Sequence, residues 1–521
     1  MMKFGGTSVK DVDAIARLAQ IVRRGRAASL DAGLSPNPAS SAGPVVVVSA
    51  MSGVTDHLLG LAASAVAGDT AGVQTGLDAL RARHLDAALM VRDDVRRGVL
   101  SDALDREIAE LTTLLHAVVV ARDVSSRLQD AIVACGELLS SRLVAAALAH
   151  AGLPAICVDA RRVLVTNEAT PALPVMDETR ERCRAMLGPL LAAGQIPVLG
   201  GFIGATRAGV TTTLGRGGSD YSASILGVGA GAREIQIWTD VDGMLTADPR
   251  VIAGTRRVPR LSFSEASELA YFGAKVLHPS TITPAVAEGI PVRILNSQRP
   301  DVEGTLITDV CAAETPLTAI ACKREVTVID IVSSRMLMAH GFLRRLFEVF
   351  ERHHTAVDVV TTSEVSVSVT IDDRRRLPQI VDELSAFADV TVSEDMALVC
   401  AVGERLRTDP SLSSRVVGAL DGLPLRMVSQ AGSRRNITFV LPQSDLVAAV
   451  TRLHDRFCAP VSDAAVSDTA GSSVAGSSVA VSDATGSDAV SGATVSGATV
   501  SGTTGPDAAP ATRPVVAAAH S

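Results

Sequence analysis

Thr211-Thr212-Thr213-Leu214-Gly215-Arg216-Gly217-Gly218-Ser219-Asp220 packs hydroxyls, three glycines, an arginine and a carboxylate into ten residues. The glycines let the backbone approach a ligand closely and take positive φ, and the arginine offers a planar fork suited to carboxylate or phosphate. Ser219 and Asp220 stand before an apolar run, Tyr221 to Leu226, where they are expected to cap a helix. Such a helix would aim free N–H groups and the positive end of its dipole at a clamped anion.

Working outward, Lys3-Phe4-Gly5-Gly6-Thr7-Ser8 reads as a second anion site, a lysine and two glycines at a strand-to-helix turn. The helix period of Val9, Val12, Ile15, Leu18, Ala19 and Val22 follows it, with Ser8 as the expected N-cap. The spacing of a Walker P-loop is absent. From there to about Ile307, apolar runs at Val45 to Val48, Ala155 to Val158, Pro197 to Gly201, Ile235 to Trp238 and Val292 to Leu295 alternate with longer helical patterns. That rhythm predicts an α/β domain with a mostly parallel sheet and helices on both faces.

The blocks Lys3 to Val9 (KFGGTSV), Val48 to Thr55 (VSAMSGVT), Gly136-Glu137-Leu138, Thr211 to Tyr221 and Phe272 to Pro279 (FGAKVLHP) occur in the order found in aspartate kinases, and the chain resembles that family from Lys3 to Cys458. Trp238 to Gly243 and Ala247 to Arg250 extend the match. The resemblance implies an amino-acid kinase fold over residues 1–307, two βαββαβ ACT domains at 308–395 and 396–458, and a low-complexity, disordered tail at 459–521. The two ACT domains are expected to be intertwined, one completing the other's sheet.

It also implies an activity, transfer of the γ-phosphoryl group of ATP to the side-chain carboxylate of L-aspartate, with Mg2+ carried mainly on phosphate oxygens. The implied catalytic residues are Lys3, Asp220 and Lys275. Nucleotide contacts fall to Lys3, Phe4, Gly5, Gly6, Thr239, Asp240, Arg250, Lys275 and Val276. For aspartate, Arg216 is the partner of the α-carboxylate and Glu137 of the ammonium, with Ser49, Thr55 and Ser219 as hydroxyl donors. Read from the residues alone, Glu137 is an ordinary helix-face carboxylate, Thr55 a helix N-cap, and Asp240 to Gly243 a turn after a strand. No all-protein metal site is visible.

From about Leu317 the units shorten: strand Val326 to Val332, helix Phe342 to Arg352, strands Ala356 to Thr361 and Glu364 to Thr370, and helix Leu377 to Phe387. A similar unit follows, with strand Met396 to Val402, helix Leu412 to Leu420, strands Leu425 to Ser429 and Ile437 to Leu441, and helix Asp445 to Phe457. Met336 to Leu343 and Val357 to Ser368 resemble the effector site of lysine-inhibited aspartate kinases. Met336, Gly341, Phe342, Leu343, Val357, Asp358, Ser363, Glu364 and Val365 are the implied contacts. A carboxylate would sit on the start of the Phe342 helix and an ammonium on Asp358 and Glu364. By resemblance the chain is a homodimer or dimer of dimers through its ACT domains.

Two departures from the family stand out. Leu245 occupies a position that is usually tyrosine near the adenine, and only Met1 and Met2 precede Lys3 where relatives have a longer apolar strand. A shortened central strand raises an alternative, a catalytically impaired amino-acid sensor. Composition narrows the remaining classes. With 47% hydrophobic residues but 2% aromatics, the cores must be built from Ala, Val, Leu and Ile. A net charge of −8 argues against a general nucleic-acid or anionic-membrane surface. Seven cysteines without a C-x-x-C pair suggest neither zinc nor disulfides, and no uninterrupted apolar run approaches the roughly 20 residues of a membrane span. A cytoplasmic location is the expectation.

Overall fold

The computed structural model describes residues 1–31, 43–272, 278–309, 311, 315–333, 340–430 and 432–458. The first sheet has eight strands in the order Ala155–Cys157, Ile196–Gly200, Val46–Val48, Met2–Phe4, Ile235–Thr239, Val292–Asn296, Thr305–Thr308 and Arg260–Ser262. Every neighbouring pair is parallel except Val292–Asn296 with Thr305–Thr308. Parallel strands are covered on both faces, which is why the central ones read as continuous apolar runs. Met2–Phe4 is only three residues long yet pairs on both sides, and its ends are tied by Met2 N to Val45 O at 2.8 Å and Gly5 N to Trp238 O at 3.1 Å. Phe4 is fully buried and stacks on Trp238 with ring centroids 5.9 Å apart.

The long helix Ser126–His150 packs beside Ile196–Gly200, and Val54–Ala67, Thr70–Ala88 and Asp94–Ala121 gather around it. By length and composition it alone among the described helices is apolar enough to cross a membrane, but its apolar stretch lies inside the protein.

Two expected caps are corrected. Gly6–Val9 forms a short 3-10 turn, so the helix starts at Val12 and the Asp11 carboxylate accepts from Ala14 N at 2.8 Å; Ser8 instead donates to Ser297 Oγ at 2.7 Å. The clamp helix is Gly218–Gly229, entered through Gly217 at φ 69° without a side-chain cap. Ser219 and Asp220 lie in its first turn.

The second sheet is antiparallel, in the order Val360–Thr362, Ser366–Ile371, Ala319–Val332, Asp389–Val402, Asn436–Pro442 and Met427–Ser429. Its two 14-residue strands join both regulatory units. Residues 319–323 pair with 398–402, whose other side pairs with Asn436–Pro442, while 326–332 lie between Ser366–Ile371 and the first half of Asp389–Val402. The joint is a β-bulge, with Glu325 at φ 58° and Asp395 at φ 54°. The division at residue 395 therefore falls within one strand.

Alternation along Asp389–Val402 assigns the faces. Ala397, Val399 and Ala401 pack with Leu412, Val416, Leu446, Val450 and Leu453 of the regulatory helices. Leu398, Cys400 and Val402 join the core formed by Leu226, Ile235, Leu261 and Leu269. Two expected strands are shorter than read: Ala356 to Thr361 narrows to Val360–Thr362, and Glu364 to Thr370 becomes Ser366–Ile371, because residues 363–365 form the turn between them.

Candidate active site

Phe4, Val48, Gly200, Thr239 and Asn296 end their parallel strands at one edge of the sheet, the edge where ligands bind in open α/β folds. There Lys3, Gly6, Ser49, Thr55, Glu137, Ser219 and Asp220 line one cavity of about 360 Å³ together with Ala50, Met51, Phe202, Gly215 and Gly217. Lys3 Nζ lies 2.7 Å from Asp220 Oδ1, with the lysine side chain 9% exposed. A central strand of three residues thus still holds its lysine in place. Removing the glycines would close the site. A Cβ at Gly6 would meet Ala50 O at 3.0 Å, and one at Gly200 would meet Glu137 Cβ at 2.9 Å.

Glu137 is buried on the Ser126–His150 helix. Its Oε1 accepts from Ala50 N at 3.1 Å, and its Oε2 is buried without a hydrogen-bond partner among the described residues. Burial pushes its carboxyl up to about 8, the Ala50 N–H only partly offsetting this. A buried acid with one oxygen unspent is built to receive a donor. Arg216 is exposed between Gly215 and Gly217 and does not line the cavity wall. Phe4 contributes backbone alone, accepting from Ser49 N at 3.1 Å, because its ring belongs to the core.

A second cavity begins at Thr239 and Asp240 and runs past Met244, Leu245, Asp248 and Arg250. Arg250 is held by Asp248 at 2.7 Å and is otherwise exposed. The sequence offered no signal that the far wall comes from the regulatory sheet, as Ile320, Ala321 and Cys322. Ile320 N donates to Thr246 O at 2.8 Å, and Thr246 Oγ1 lies 2.8 Å from Nε2 of buried His454 on the last regulatory helix, Leu446–Phe457. Lys275 and Val276 lie outside the described residues, as does Met336. Among the described residues no group of three His, Cys, Asp or Glu side chains is placed to hold a metal ion.

At the expected effector segment, Gly341 at φ 84° opens helix Phe342–Arg352 with no side-chain cap. Phe342 turns inward onto Phe387, whereas Leu343, Glu364 and Val365 are exposed. Ser363 spends its hydroxyl on the turn, 2.6 Å from Ser366 Oγ. Val357 is half-buried, and its carbonyl lies 3.5 Å from the Tyr271 hydroxyl. Asp358 pairs with Lys323 at 2.8 Å, while Lys323 also lies 3.4 Å from Asp372 and 5.5 Å from the Tyr271 ring centroid. Two carboxylates thus share one ammonium. Burial raises the Asp358 carboxyl against the pull of Lys323, and its Oδ2 is buried without a partner among the described residues. For Lys323, burial is outweighed by the hydrogen bond to Asp358 and the two acidic charges, and its ammonium is raised.

A parallel-sheet domain with polar cavities at its strand ends, joined to an antiparallel sheet covered by helices on one face, is the architecture of the amino acid kinases that carry ACT domains. The amino acid kinase family matches residues 1–296, and the ACT domain matches residues 399–457. Lysine-sensitive aspartokinase 3 of Escherichia coli (strain K12) is 36% identical over 461 residues, covering 87% of this chain and 97% of that protein. Chloroplastic aspartokinase 3 of Arabidopsis thaliana is 36% identical over 486 residues, covering 89% and 83%. The structure of E. coli aspartokinase III in complex with lysine and aspartate (T-state) aligns with a TM-score of 0.74 at 35% identity, covering 87% of this chain and 98% of that one. The same enzyme with aspartate and ADP (R-state) aligns at 0.70. The chain belongs to the aspartokinase family.

Proposed function

We propose that this protein is an aspartate kinase whose activity is suppressed by lysine. A side-chain carboxylate of L-aspartate attacks the γ-phosphorus of ATP, the new O–P bond forms as the bond to the β-phosphate bridge breaks, and 4-phospho-L-aspartate and ADP leave. A carboxylate is already a nucleophile, so the chain needs no general base. Its task is to hold two anions in line and neutralise the charge on the transferring group.

Lys3, oriented by Asp220, serves that charge, with Lys275 as a second cation and Gly5 and Gly6 leaving room for phosphate. Thr239, Asp240 and Arg250 lie along the nucleotide, whose base meets the aliphatic Leu245 in place of an aromatic ring. Arg216 takes the α-carboxylate, Glu137 the ammonium, and Ser49, Thr55 and Ser219 supply hydroxyls. Mg2+ would add positive charge on the phosphate oxygens, and Asp240, exposed at the cavity mouth, fits a role in holding it through water.

The observation that carries the reading is the unspent, buried Oε2 of Glu137 in the same cavity as the Lys3–Asp220 pair. It supplies a cation acceptor beside a phosphate cation, the combination an amino-acid kinase requires.

The regulatory reading rests on Asp358. Asp358 and Asp372 against Lys323 leave one negative charge in excess and one buried oxygen free, which favours an effector with an extra positive charge, such as lysine. We assign residues 1–307 to catalysis and 308–458 to the paired ACT units. Association into a homodimer is supported by the edge strand Val360–Thr362 and by exposed Leu343, Phe347, Val360 and Val365. A cytoplasmic site of action is our reading, the plant relatives being chloroplastic.

The test is aspartate- and ATP-dependent acyl-phosphate formation, trapped as the hydroxamate, with and without lysine. Turnover suppressed by lysine is expected. Turnover indifferent to lysine would remove the effector from the reading, and nucleotide binding without turnover would make the chain a sensor.

A further inference from the structure

Among the described residues the clamp residue Arg216 has no side-chain partner of its own, so its place depends on the strand that delivers it. That strand, Thr211–Thr213, is fastened at every residue. Arg161 Nη1 lies 3.4 Å from Thr211 Oγ1, and the hydroxyls of Thr166 and Thr212 are 2.7 Å apart. Thr213, the last residue before the glycine turns, is held by Asp130. Its hydroxyl donates to Asp130 Oδ1 at 2.7 Å and its N–H lies 3.3 Å from Oδ2. Leu214 N then donates to Phe202 O at 2.9 Å, and Gly215 and Gly217, at φ 75° and 69°, fix how Arg216 leaves the chain.

Asp130 is a buried carboxylate, yet no cation pairs with it among the described residues, and both its oxygens go to one threonine. Burying a charge in this way is costly, and an apolar packing residue would hold a strand end more cheaply. What the carboxylate adds is direction, because two charge-assisted hydrogen bonds to a hydroxyl and an N–H of the same residue fix both position and rotation. Asp130 also sits seven residues, close to two turns, before Glu137 on Ser126–His150, so both face the same side of one helix.

From this geometry we propose that Asp130 is the positioning residue of the aspartate clamp. One rigid helix presents the ammonium acceptor directly through Glu137 and sets the carboxylate donor Arg216 through Asp130 and Thr213, fixing the span between the two α-substituents of the substrate. The inference rests on the assignment of Arg216 to the α-carboxylate.

The experiment measures KM for aspartate, KM for ATP and kcat on the full chain. Asp130→Ala and, as a milder change that keeps the buried acid, Thr213→Val are expected to raise KM for aspartate about tenfold or more, the loss of one or two charge-assisted hydrogen bonds. KM for ATP should stay within about twofold of wild type, and Thr213→Ser should restore KM for aspartate. In an Arg216→Ala background, Asp130→Ala should add less than about threefold, because residues acting through one another are not additive. A parallel rise in both KM values, or full additivity with Arg216→Ala, would reduce Asp130 to a stability residue and overturn the proposal. If Arg216→Ala itself leaves KM for aspartate unchanged, the clamp assignment falls first. If Arg216→Ala raises it and Thr213→Val does not, only the positioning role is lost.

Discussion

Glu137→Gln separates the charge of the buried acceptor from its shape. In the folded chain burial lifts the carboxyl from the ordinary 4.5 to about 8, so the ionised form is disfavoured by on the order of 5 kcal/mol, at about 1.4 kcal/mol per unit. The raised value means that this group's contribution to stability is complete below the unfolded pKa and is lost as pH rises through about 8. Glutamine carries no such cost, and the variant should gain up to about that much stability relative to wild type by pH 9, read as the difference between denaturation curves at each pH. Binding should show the mirror image. An aspartate ammonium needs the ionised form, so wild-type KM for aspartate should fall about tenfold per pH unit between roughly pH 6 and 8 and then level off. The glutamine variant should lose that slope and, above pH 8, bind aspartate about tenfold to a hundredfold more weakly, as expected for a lost hydrogen bond to a charged group. The assay is the initial rate of hydroxamate formation at saturating ATP. A wild-type KM that is flat over this range, or a slope that survives in Glu137→Gln, would refute the role of a buried, unpaired acceptor.

Lys3→Ala should lower kcat by at least about a hundredfold, the scale of removing one group aimed at transition-state charge, with circular dichroism unchanged; undiminished turnover would remove Lys3 from the chemistry. Glu364→Ala, at an exposed turn, should weaken inhibition by lysine while leaving kcat near wild type, as measured by lysine titration of the rate. Gly200→Ala should destabilise the chain by about 1–3 kcal/mol in denaturant unfolding, because the added methyl would lie 2.9 Å from Glu137 Cβ and 3.1 Å from its carbonyl oxygen.

Much of the site was readable in the linear sequence, because phosphate and amino-acid recognition use glycines, hydroxyls and single charges in local runs. Lys3, Ser49, Thr55, Glu137, Ser219 and Asp220 come from four separated blocks and line one cavity. The parallel strands were readable for a similar reason, since burial on both faces leaves unbroken apolar runs. What escaped depends on partners distant in sequence. Ala356-Val357-Asp358 read as strand, yet Asp358 turns to Lys323, and the strand begins only at Val360. Ser363 reads as an effector contact by resemblance, yet its hydroxyl closes a turn on Ser366. Asp130 left only a faint trace, one of two acids in a long helix rich in alanine and leucine. Ile320, Ala321 and Cys322 left none as a cavity wall, because the register between two sheets is not written in either strand alone.

That shared wall bears on how this chain can be altered. Residues 320–322 bound the second cavity, at Thr239 to Arg250, on one side, and positions 319, 321, 326 and 328 lie in the same core as Leu261 and Leu269. Cutting the chain after residue 307 would open that cavity to solvent and bare an apolar face. Excision would thus yield an aggregating fragment with a half-walled cavity rather than an enzyme freed from feedback. Variation that loosens lysine control while keeping turnover is expected from point changes around Asp358 and the Phe342 helix, since residues 320–322 of the regulatory sheet also wall a cavity of the catalytic domain.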